Sequence, residues 1–541
     1  MTAAGTEPTG RRRELRALGL ELWELAVFAA FALVGSLPLL ILVWDVVAND
    51  KLWVGTDGGP VIQDQMQYVN WIRNASESVL ISNHYEAGAT EASYLHPGAL
   101  ISGGLVALGL SPEVGYLLWK PFAIIALFAA VALYVRRLVP PGLGRLAALV
   151  LALFFLPPTT LIVTDEIGLT VAAGEVWPLD MLWGYFFSAL AVAGLVAALL
   201  LYERDRRNAR PTPWPPLLAF LSAWLQPWEG PLLLGIVVGA ELLLWLIRRR
   251  GGAGVEPAPE NRTLARLLGP LVGAVAIPLG YYVVLGRVDP AWSIDPGVHD
   301  FLDPPWWAIG VTIAPLALPG LLAYRLRPTS FHQAALRVWP IAALGLYWVL
   351  TTAYPGHYAP HALRGLSIPL AVLAVLGIAS LRVMVPRTVA LAAVACALAV
   401  LTLPATVDRL GEARDRINEN SGPYFLTRGE RDALDYLDRL DTPGAVYAPV
   451  SMGQLVPAKT GRHTSVGNLF WTPDYLRRRA YTQLLFQGFL APPAVRAIAR
   501  SSGARFMFTG CTGATDLEDA LRPLLASVRR FDCATVYELR G

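Results

Sequence analysis

The feature of this sequence that most constrains its fold is a series of long apolar blocks, separated by short segments that carry arginine. An α-helix rises about 1.5 Å per residue, so about 20 consecutive apolar residues span the hydrocarbon core of a bilayer. Of the 541 residues, 16% are charged, whereas soluble globular proteins have about 25%. The sequence therefore predicts a polytopic α-helical membrane protein and excludes a water-soluble fold.

The apolar blocks predict about 11 transmembrane helices. Short loops rich in Lys and Arg stay in the cytoplasm, and an odd number of spans puts the two termini on opposite sides of the membrane. The N-terminus, with consecutive arginines at 11–13, is predicted to be cytoplasmic and the C-terminus extracytoplasmic. The predicted spans cover residues 20–44, 113–134, 146–163, 181–202, 215–226, 231–247, 267–285, 306–324, 336–350, 365–383 and 389–403.

The composition divides the chain into three parts. Residues 1–19 are predicted to be a cytoplasmic tail, 20–404 a transmembrane body whose first outer loop covers 45–112, and 405–541 a small extracytoplasmic α/β domain. In that domain the apolar runs predict strands and the amphipathic patterns predict helices. The strands are expected at 445–450, 505–509 and 534–539, and the helices at 427–440, 473–486 and 516–527.

Charge and composition narrow the expected partners and compartment. The 44 Lys and Arg exceed the 41 Asp and Glu by three, which is too little for an extended nucleic-acid-binding surface. The expected partners are membrane lipids, and nucleic acid is not expected. A chain rich in Arg, Ala, Leu, Pro and Gly is typical of a GC-rich bacterial genome, so a bacterial plasma membrane is the predicted location.

Two of the three cysteines, Cys511 and Cys533, fall in the predicted outer domain close to predicted strands. Disulfides persist in oxidising compartments. If these strands are neighbours, the two cysteines form a disulfide; otherwise they are two buried thiols. The sequence leaves both alternatives open.

The first outer loop holds the strongest candidate for a catalytic residue. Asp64, Tyr68 and Trp71 are spaced i, i+4 and i+7, so on a helix they share one face. A carboxylate beside aromatic rings suits sugar chemistry, because rings stack on the apolar faces of sugars and a carboxylate accepts a hydroxyl proton. The alternative is an interfacial helix whose aromatic rings anchor in lipid headgroups. Further substrate-contact candidates in this loop are Arg73, His84 and His96.

Carboxylates also mark two later outer segments. The second outer loop contains the pair Asp165 and Glu166, followed by Glu175 and Asp180. These groups could bind a divalent cation, orient an acceptor or simply mark a helix end. No strong metal-ligand spacing is present, so a cation is optional and no cofactor is predicted with certainty. Glu229 follows the proline that interrupts a helix at membrane depth, where a carboxylate must be paired or hydrated, and it is a further substrate-contact candidate.

The fourth outer segment concentrates His357, His361 and Arg364 where the chain re-enters the bilayer. The planar fork of N–H groups on arginine matches phosphate oxygens, and its charge does not titrate. These three residues are therefore predicted to bind a phosphate group. The alternative is an arginine that contacts lipid phosphates in general.

Taken together, these features resemble the GT-C superfamily of polyprenyl-phosphate-dependent integral-membrane glycosyltransferases. The resemblance rests on the multi-span body, the long first outer loop with Asp64, the acidic second loop, Arg364 and the outer C-terminal domain. It implies that Asp64 is the base that activates the acceptor and that Arg364 faces the donor phosphate. Many members carry two adjacent acidic residues in the first loop, whereas Asp64 is followed by Gln65. Asp57, Asp165 and Glu166 are therefore secondary candidates for the base.

The function implied by the resemblance is sugar transfer on the outer face of the membrane. The donor would be a polyprenyl-phosphate sugar and the acceptor an envelope glycan, lipid or protein. Two alternatives remain open, a transporter or flippase of lipid-linked sugar and a non-catalytic envelope scaffold. Transporters place ionisable groups along a midplane pathway. Here the polar residues crowd one face, which favours surface chemistry.

Overall fold

The computed structural model describes residues 21–88, 90–161, 167–251, 254–293, 302–353, 358–381, 386–418, 424–512 and 515–540. The predicted N-terminal tail and three candidate site residues, Asp165, Glu166 and His357, lie outside these described residues.

The body of the protein is a bundle of helices with one short strand. Its elements are α1 (Leu22–Asn49), β1 (Leu52–Trp53), α2 (Ile62–Ala75), α3 (Pro97–Ala107), α4 (Pro112–Leu117), α5 (Trp119–Leu138), α6 (Leu143–Phe154), α7 (Ile167–Val176), α8 (Phe186–Asn208), α9 (Trp214–Leu225), α10 (Glu229–Arg249), α11 (Asn261–Val288), α12 (Trp306–Leu321), α13 (Phe331–Thr352), α14 (Ser367–Ser380) and α15 (Arg387–Asn418). A 3₁₀ turn, Ala359–Leu363, leads into α14.

Nine helices within the described ranges are long and apolar enough to cross a membrane, and they coincide with nine predicted spans. The other two predicted spans, 146–163 and 215–226, correspond to α6 and α9, which have 12 residues each. Helix α9 ends just before Pro227: Gln226 is already extended, because proline pushes the preceding residue out of the α region. Helix α6 ends at Phe154, three residues before Pro157. The prediction of a polytopic α-helical membrane protein is confirmed. Helix α6 is shorter than the predicted span 146–163, whereas α9 is as long as the predicted span 215–226.

Burial separates central from peripheral helices. Most residues of α8 are buried, since it packs against α5, α9 and α10. By contrast, α15 leaves most of its apolar surface exposed in its first five turns, as expected for a helix that faces lipid. This helix continues without a break past the predicted domain boundary at 404 and ends at Asn418. Its last turns therefore extend the body toward the C-terminal domain.

The C-terminal part is an α/β unit, in agreement with the predicted fold class. Its four-stranded sheet has the order β3-β4-β6-β5, with β3 parallel to β4 and the other pairs antiparallel. The elements are β2 (Phe425–Leu426), α16 (Arg428–Arg439), β3 (Ala445–Tyr447), α17 (Val450–Thr460), α18 (Tyr475–Phe486), α19 (Pro492–Ser501), β4 (Ala504–Thr509), α20 (Glu518–Leu521), β5 (Leu525–Phe531) and β6 (Ala534–Leu539).

The helix predicted at 516–527 is shorter than predicted. Only Glu518–Leu521 is α-helical, a 3₁₀ turn at Arg522–Leu524 follows, and the last three residues of the predicted helix belong to β5. Strand β5 pairs with β6 through a tight turn in which Asp532 adopts a left-handed conformation, with φ 55°. Hydrogen bonding to an adjacent strand outweighs the local helical pattern here, because strand formation depends on tertiary context.

A disulfide joins Cys511, just after β4, to Cys533 in the turn between β5 and β6. Their Cα atoms are 4.9 Å apart. Because β4 and β6 are direct neighbours, the two cysteines lie at the same end of the sheet. The disulfide ties the terminal hairpin to the strand beside it.

The C-terminal unit docks on the first outer loop through several polar contacts. Strand β1 pairs antiparallel with β2. Arg73, near the end of α2, forms an ion pair with Asp438 and donates a hydrogen bond to the Lys459 carbonyl at 2.8 Å. Lys459 in turn contacts Glu113 at 2.6 Å. Helix α2 is therefore held between the helix bundle and the C-terminal domain.

Candidate functional site

A cavity of about 900 Å³ opens at the end of the bundle where the first outer loop meets the C-terminal domain. Its walls come from α2, α7, α11, α13 and α15, the turn before α14, and residues 469–471. It brings together side chains that are far apart in the sequence. The residues singled out from the sequence that line it are Asp64, Tyr68, Trp71, His96, His361 and Arg364, with Glu175 and Asp180 of the second outer loop.

Asp64 lies in the first turn of α2, where the helix dipole favours a negative charge. Its Oδ2 atom accepts a hydrogen bond from the Tyr185 hydroxyl at 3.0 Å. Its Oδ1 atom is buried and has no hydrogen-bond partner among the described residues. Burial raises the pKa of Asp64 to about 6, although the Tyr185 hydrogen bond and the charge of Arg364 oppose the shift. Asp64 therefore has one oxygen able to accept a proton in the cavity.

Arg364 is buried and engaged mainly with other protein groups. Its Nε atom donates to Glu175 Oε2 at 2.8 Å, and Nη1 donates to Ser188 Oγ at 2.8 Å. His361 Nδ1 lies 2.8 Å from Arg364 Nη2 and 3.0 Å from Glu175 Oε1. The next residue, Gly365, has φ +66° and donates its N–H to the Glu175 carbonyl at 3.0 Å, a turn that a side chain would strain.

Glu175 compensates the charge of Arg364. Burial alone would raise the pKa of Glu175, but the charges of Arg364 and His361 and their hydrogen bonds lower it to about 2. Glu175 is therefore ionised at neutral pH. Sequence reasoning missed this pair, because 189 residues separate its members.

Three further arginines, which the sequence analysis did not single out, also line the cavity. They are Arg287, Arg409 and Arg416. Arg409 and Arg416 are seven residues apart on α15, so they lie on one face of the helix. Both approach Glu412, at 3.1 and 3.7 Å. An i, i+7 pair of arginines at the end of an apolar helix is a signal that could have found them. The predicted domain boundary at 404 separated them from the body.

Asp180 supplies another carboxylate in the same cavity. Burial raises its pKa to about 7, while the positive charge of Arg409 opposes the shift. Its carboxyl group therefore titrates near neutral pH. Within the described ranges, no three His, Cys, Asp or Glu side chains converge as metal ligands would.

Aromatic side chains cover one wall of the cavity. They are Tyr68, Trp71, Tyr94, Tyr282, Trp292 and Trp471. His96 lies beside them, and its Nδ1 atom accepts the backbone N–H of Ala99 at 3.2 Å, which caps α3. Burial lowers the pKa of His96 to about 3, so the ring is neutral.

Four of the sequence candidates do not line the cavity. Both carboxylate oxygens of Asp57 are 2.8 Å from Lys120 Nζ in a buried ion pair. Arg73 contacts the C-terminal domain, as described above. His84 lies 3.0 Å from Asn70 and from Asn74, and burial lowers its pKa to about 3. Glu229 is buried at the start of α10, and neither carboxylate oxygen has a hydrogen-bond partner among the described residues.

Comparison with known proteins gives a match in structure but not in sequence. No family model matches the sequence, and no curated protein matches it. The apo oligosaccharyltransferase of Archaeoglobus fulgidus aligns with 92% of this chain and 70% of its own, at 12% identity and a TM-score of 0.50. The same enzyme tethered to an acceptor peptide aligns with 92% of this chain and 69% of its own, at 14% identity and a TM-score of 0.50.

The chain has the GT-C fold. Apo ArnT from Cupriavidus metallidurans overlaps somewhat less well, with a TM-score of 0.48 and 12% identity over 95% of this chain and 97% of its own. In this chain, the cavity lies between the first outer loop, the helix bundle and the C-terminal domain.

Proposed function

We propose that this protein is a glycosyltransferase that moves a sugar from a polyprenyl-phosphate donor to an envelope glycan, lipid or protein. The reaction would take place on the outer face of a bacterial plasma membrane. The observation that carries the proposal is the Asp64 carboxylate, whose Oδ1 atom is buried at the cavity without a hydrogen-bond partner among the described residues. A buried carboxylate at a cavity with a raised pKa is a feature of functional sites.

Asp64 is proposed to act as the general base. Its Oδ1 atom would accept the proton of an acceptor hydroxyl or amide, while the acceptor heteroatom bonds to the anomeric carbon of the donor. The bond between that carbon and the phosphate oxygen breaks, and its electron pair leaves with polyprenyl phosphate. A pKa of about 6 keeps Asp64 mostly ionised at pH 7 and close to the operating pH, where a general base is most effective.

The arginines of the cavity are proposed to hold the donor phosphate. Arg364 and His361 line the cavity, and His357 belongs to the same proposal. Glu175 forms an ion pair with Arg364, whereas Arg409 and Arg416 on α15 share the single carboxylate of Glu412, so we assign a larger share of phosphate binding to these two arginines. Cationic donors of this kind also stabilise the charge that develops on the leaving phosphate.

The wall between α11 and α13 suits the lipid part of the donor. It is built from the apolar side chains Leu279, Val283, Leu285, Leu346, Val349 and Leu350. Both helices are long enough to span a membrane. A polyprenyl chain could therefore lie between them in the bilayer while its phosphate reaches the arginines. Nucleotide sugars do not reach the outer compartment, so a lipid-linked donor also fits the predicted sidedness.

The direct test is a transfer assay with purified protein in nanodiscs. The donors would be a set of radiolabelled polyprenyl-phosphate pentoses and hexoses, and the acceptor an envelope extract. We expect wild-type protein to label the extract and Asp64→Asn to lose transfer while still binding donor. Asp50→Asn is a matched control, because Asp50 is an acidic and exposed residue of the same loop. Wild-type turnover by Asp64→Asn would disprove the assignment of the base.

Titration with sugar-free polyprenyl phosphate tests the phosphate site separately. Arg409→Ala and Arg416→Ala should each weaken binding about tenfold, since a charge-assisted hydrogen bond contributes about 1.5–3 kcal/mol. Arg414→Ala, on the same helix but outside the cavity lining, is the control. Unchanged binding in both variants would remove α15 from the donor site.

A liposome assay tests the alternative function. If the protein moves lipid-linked sugar across the bilayer without transferring it to an acceptor, the protein is a flippase and the proposal of a glycosyltransferase is wrong.

A further inference from the structure

We infer that the aromatic wall of the cavity is a carbohydrate subsite, formed by Trp71, Trp292 and Trp471, and that it binds a sugar of the acceptor. This inference rests on the proposed function and narrows the acceptor to a glycan. The three tryptophans come from the first outer loop, from the turn after α11 and from the C-terminal domain. Each of them lines the cavity.

The three indole rings form one continuous cluster. The ring centroids of Trp292 and Trp471 are 5.1 Å apart, and Trp71 lies 6.1 Å from the first and 6.0 Å from the second. Tyr94 stacks on Trp292 at 4.5 Å and lies 4.8 Å from Trp71. The three indole rings are tilted against one another rather than parallel, so together they give the cavity an aromatic surface with several orientations. Such a surface can contact more than one face of a sugar ring.

Buried hydrogen bonds hold this cluster in place. The Asn83 side-chain amide donates to the Ala291 carbonyl at 2.6 Å and to the Trp471 carbonyl at 2.9 Å. One buried asparagine therefore links the backbones beside Trp292 and at Trp471. Trp292 Nε1 donates to Ser93 Oγ at 3.0 Å. Groups that are fixed before a ligand arrives bind it at a lower entropic cost.

Trp471 also carries a hydrogen-bond donor that the protein does not use. Its Nε1 atom is buried and has no partner among the described residues, in contrast with Nε1 of Trp292. Buried indole N–H groups normally find an acceptor, so an unused one beside a cavity indicates a ligand atom. A sugar combines an apolar face for the rings with hydroxyl oxygens that accept this N–H.

The position of the subsite relative to Asp64 favours the acceptor. Trp71 is seven residues after Asp64 on α2, which places it about 10 Å further along the helix axis. The residues that we assign to the donor phosphate lie on α15 and before α14 instead. A sugar in the aromatic subsite would thus extend away from the reacting centre, on the side that the C-terminal domain covers.

Equilibrium binding without donor tests the inference independently of catalysis. An array of short oligosaccharides of neutral pentoses and hexoses would be probed with wild-type protein in nanodiscs. We expect at least one oligosaccharide to bind, Trp471→Ala to weaken it about tenfold, and Trp471→Phe, which keeps a ring but loses the N–H, to weaken it less. Trp348→Ala is the control, since Trp348 is exposed on α13 and does not line the cavity.

Thermal unfolding of each variant shows whether the fold is retained, and Trp471→Phe serves if Trp471→Ala does not fold. Failure of every oligosaccharide to bind, or equal binding by folded wild-type and Trp471 variants, overturns the inference.

A second binding experiment compares polyprenyl phosphate with and without its sugar. If Trp471→Phe loses affinity only for the sugar-bearing donor, the subsite belongs to the donor and the acceptor assignment is wrong. Absence of transfer by wild-type protein in the earlier assay, with oligosaccharide binding intact, would instead disprove the proposed enzyme.

Discussion

The two ends of the helix bundle differ in how the buried carboxylates compared below are paired. At the end predicted to face the cytoplasm, Arg206 lies 2.6 Å from Glu241 and 3.1 Å from Glu256, and Arg137 lies 2.7 Å from Glu203. Each of these carboxylates has a cation within direct contact. At the opposite end, Asp64 leaves one oxygen without a partner among the described residues and faces a cavity of about 900 Å³.

This difference separates charges that stabilise the fold from charges kept for chemistry. A buried ion pair compensates its own desolvation, so removing one partner destabilises the protein strongly. An unpaired buried carboxylate costs stability, and proteins retain such groups mainly at functional sites. The two ends should therefore respond to mutation in opposite ways.

The largest expected effect is at the paired end. Arg206→Ala leaves Glu241 and Glu256 without their shared cation and should lower the free energy of unfolding by about 3–5 kcal/mol. Arg207→Ala is the matched control: its side chain is 47% exposed, so its pair with Glu203 should contribute at most about 1 kcal/mol. Thermal and denaturant unfolding in detergent measure both. Equal losses for the two variants would contradict the distinction.

At the cavity, Asp64→Asn should instead reduce transfer without reducing the stability of the protein. We expect transfer to fall about 100-fold, the scale of general-base catalysis. Because burial raises the pKa of Asp64 in the folded protein, its ionised form is less stable there than in the unfolded chain. Stability at pH 7 should therefore stay the same or increase. A large loss of stability in Asp64→Asn would show that Asp64 is a structural residue.

The pH dependence sharpens the comparison further. A base with a pKa of about 6 is ionised above that pH, so transfer should be present at pH 7 and fall about tenfold per pH unit below 6. Asp180, with a pKa of about 7, lines the same cavity and is the competing explanation. Measuring kcat/KM against pH for Asp180→Asn separates them. The decrease of kcat/KM at low pH is the acid limb of this profile. If the acid limb disappears in Asp180→Asn, ionisation of Asp180 rather than of Asp64 controls the activity.

The smallest expected effect concerns the partner of Asp64. Tyr185→Phe removes a hydrogen bond that lowers the pKa of Asp64, so the acid limb should move to higher pH. Turnover at pH 8, where Asp64 is ionised either way, should fall only a few-fold, on the scale of one hydrogen bond. The pH profile of the purified variant measures both changes. A uniform loss of activity without a shift would assign Tyr185 to substrate contact instead.

Much of the fold could be predicted from local patterns. Long apolar blocks placed nine spans, because a bilayer imposes a minimum length on each helix. The i, i+4, i+7 spacing placed Asp64, Tyr68 and Trp71 near one another, and all three line the cavity. Strand β5 is not predicted by the sequence, and its first three residues fall in the predicted helix at 516–527, since its conformation depends on pairing with β6.

The sequence by itself determined the helical membrane architecture and the face of α2 that carries Asp64, because both follow from periodicity within one segment. Only the tertiary structure decided that Glu175 compensates Arg364, that α15 brings Arg409 and Arg416 to the cavity, and that Trp471 meets Trp71. Those residues lie far apart in the chain. Their proximity depends on how the helices and the C-terminal domain pack, which no local spacing encodes.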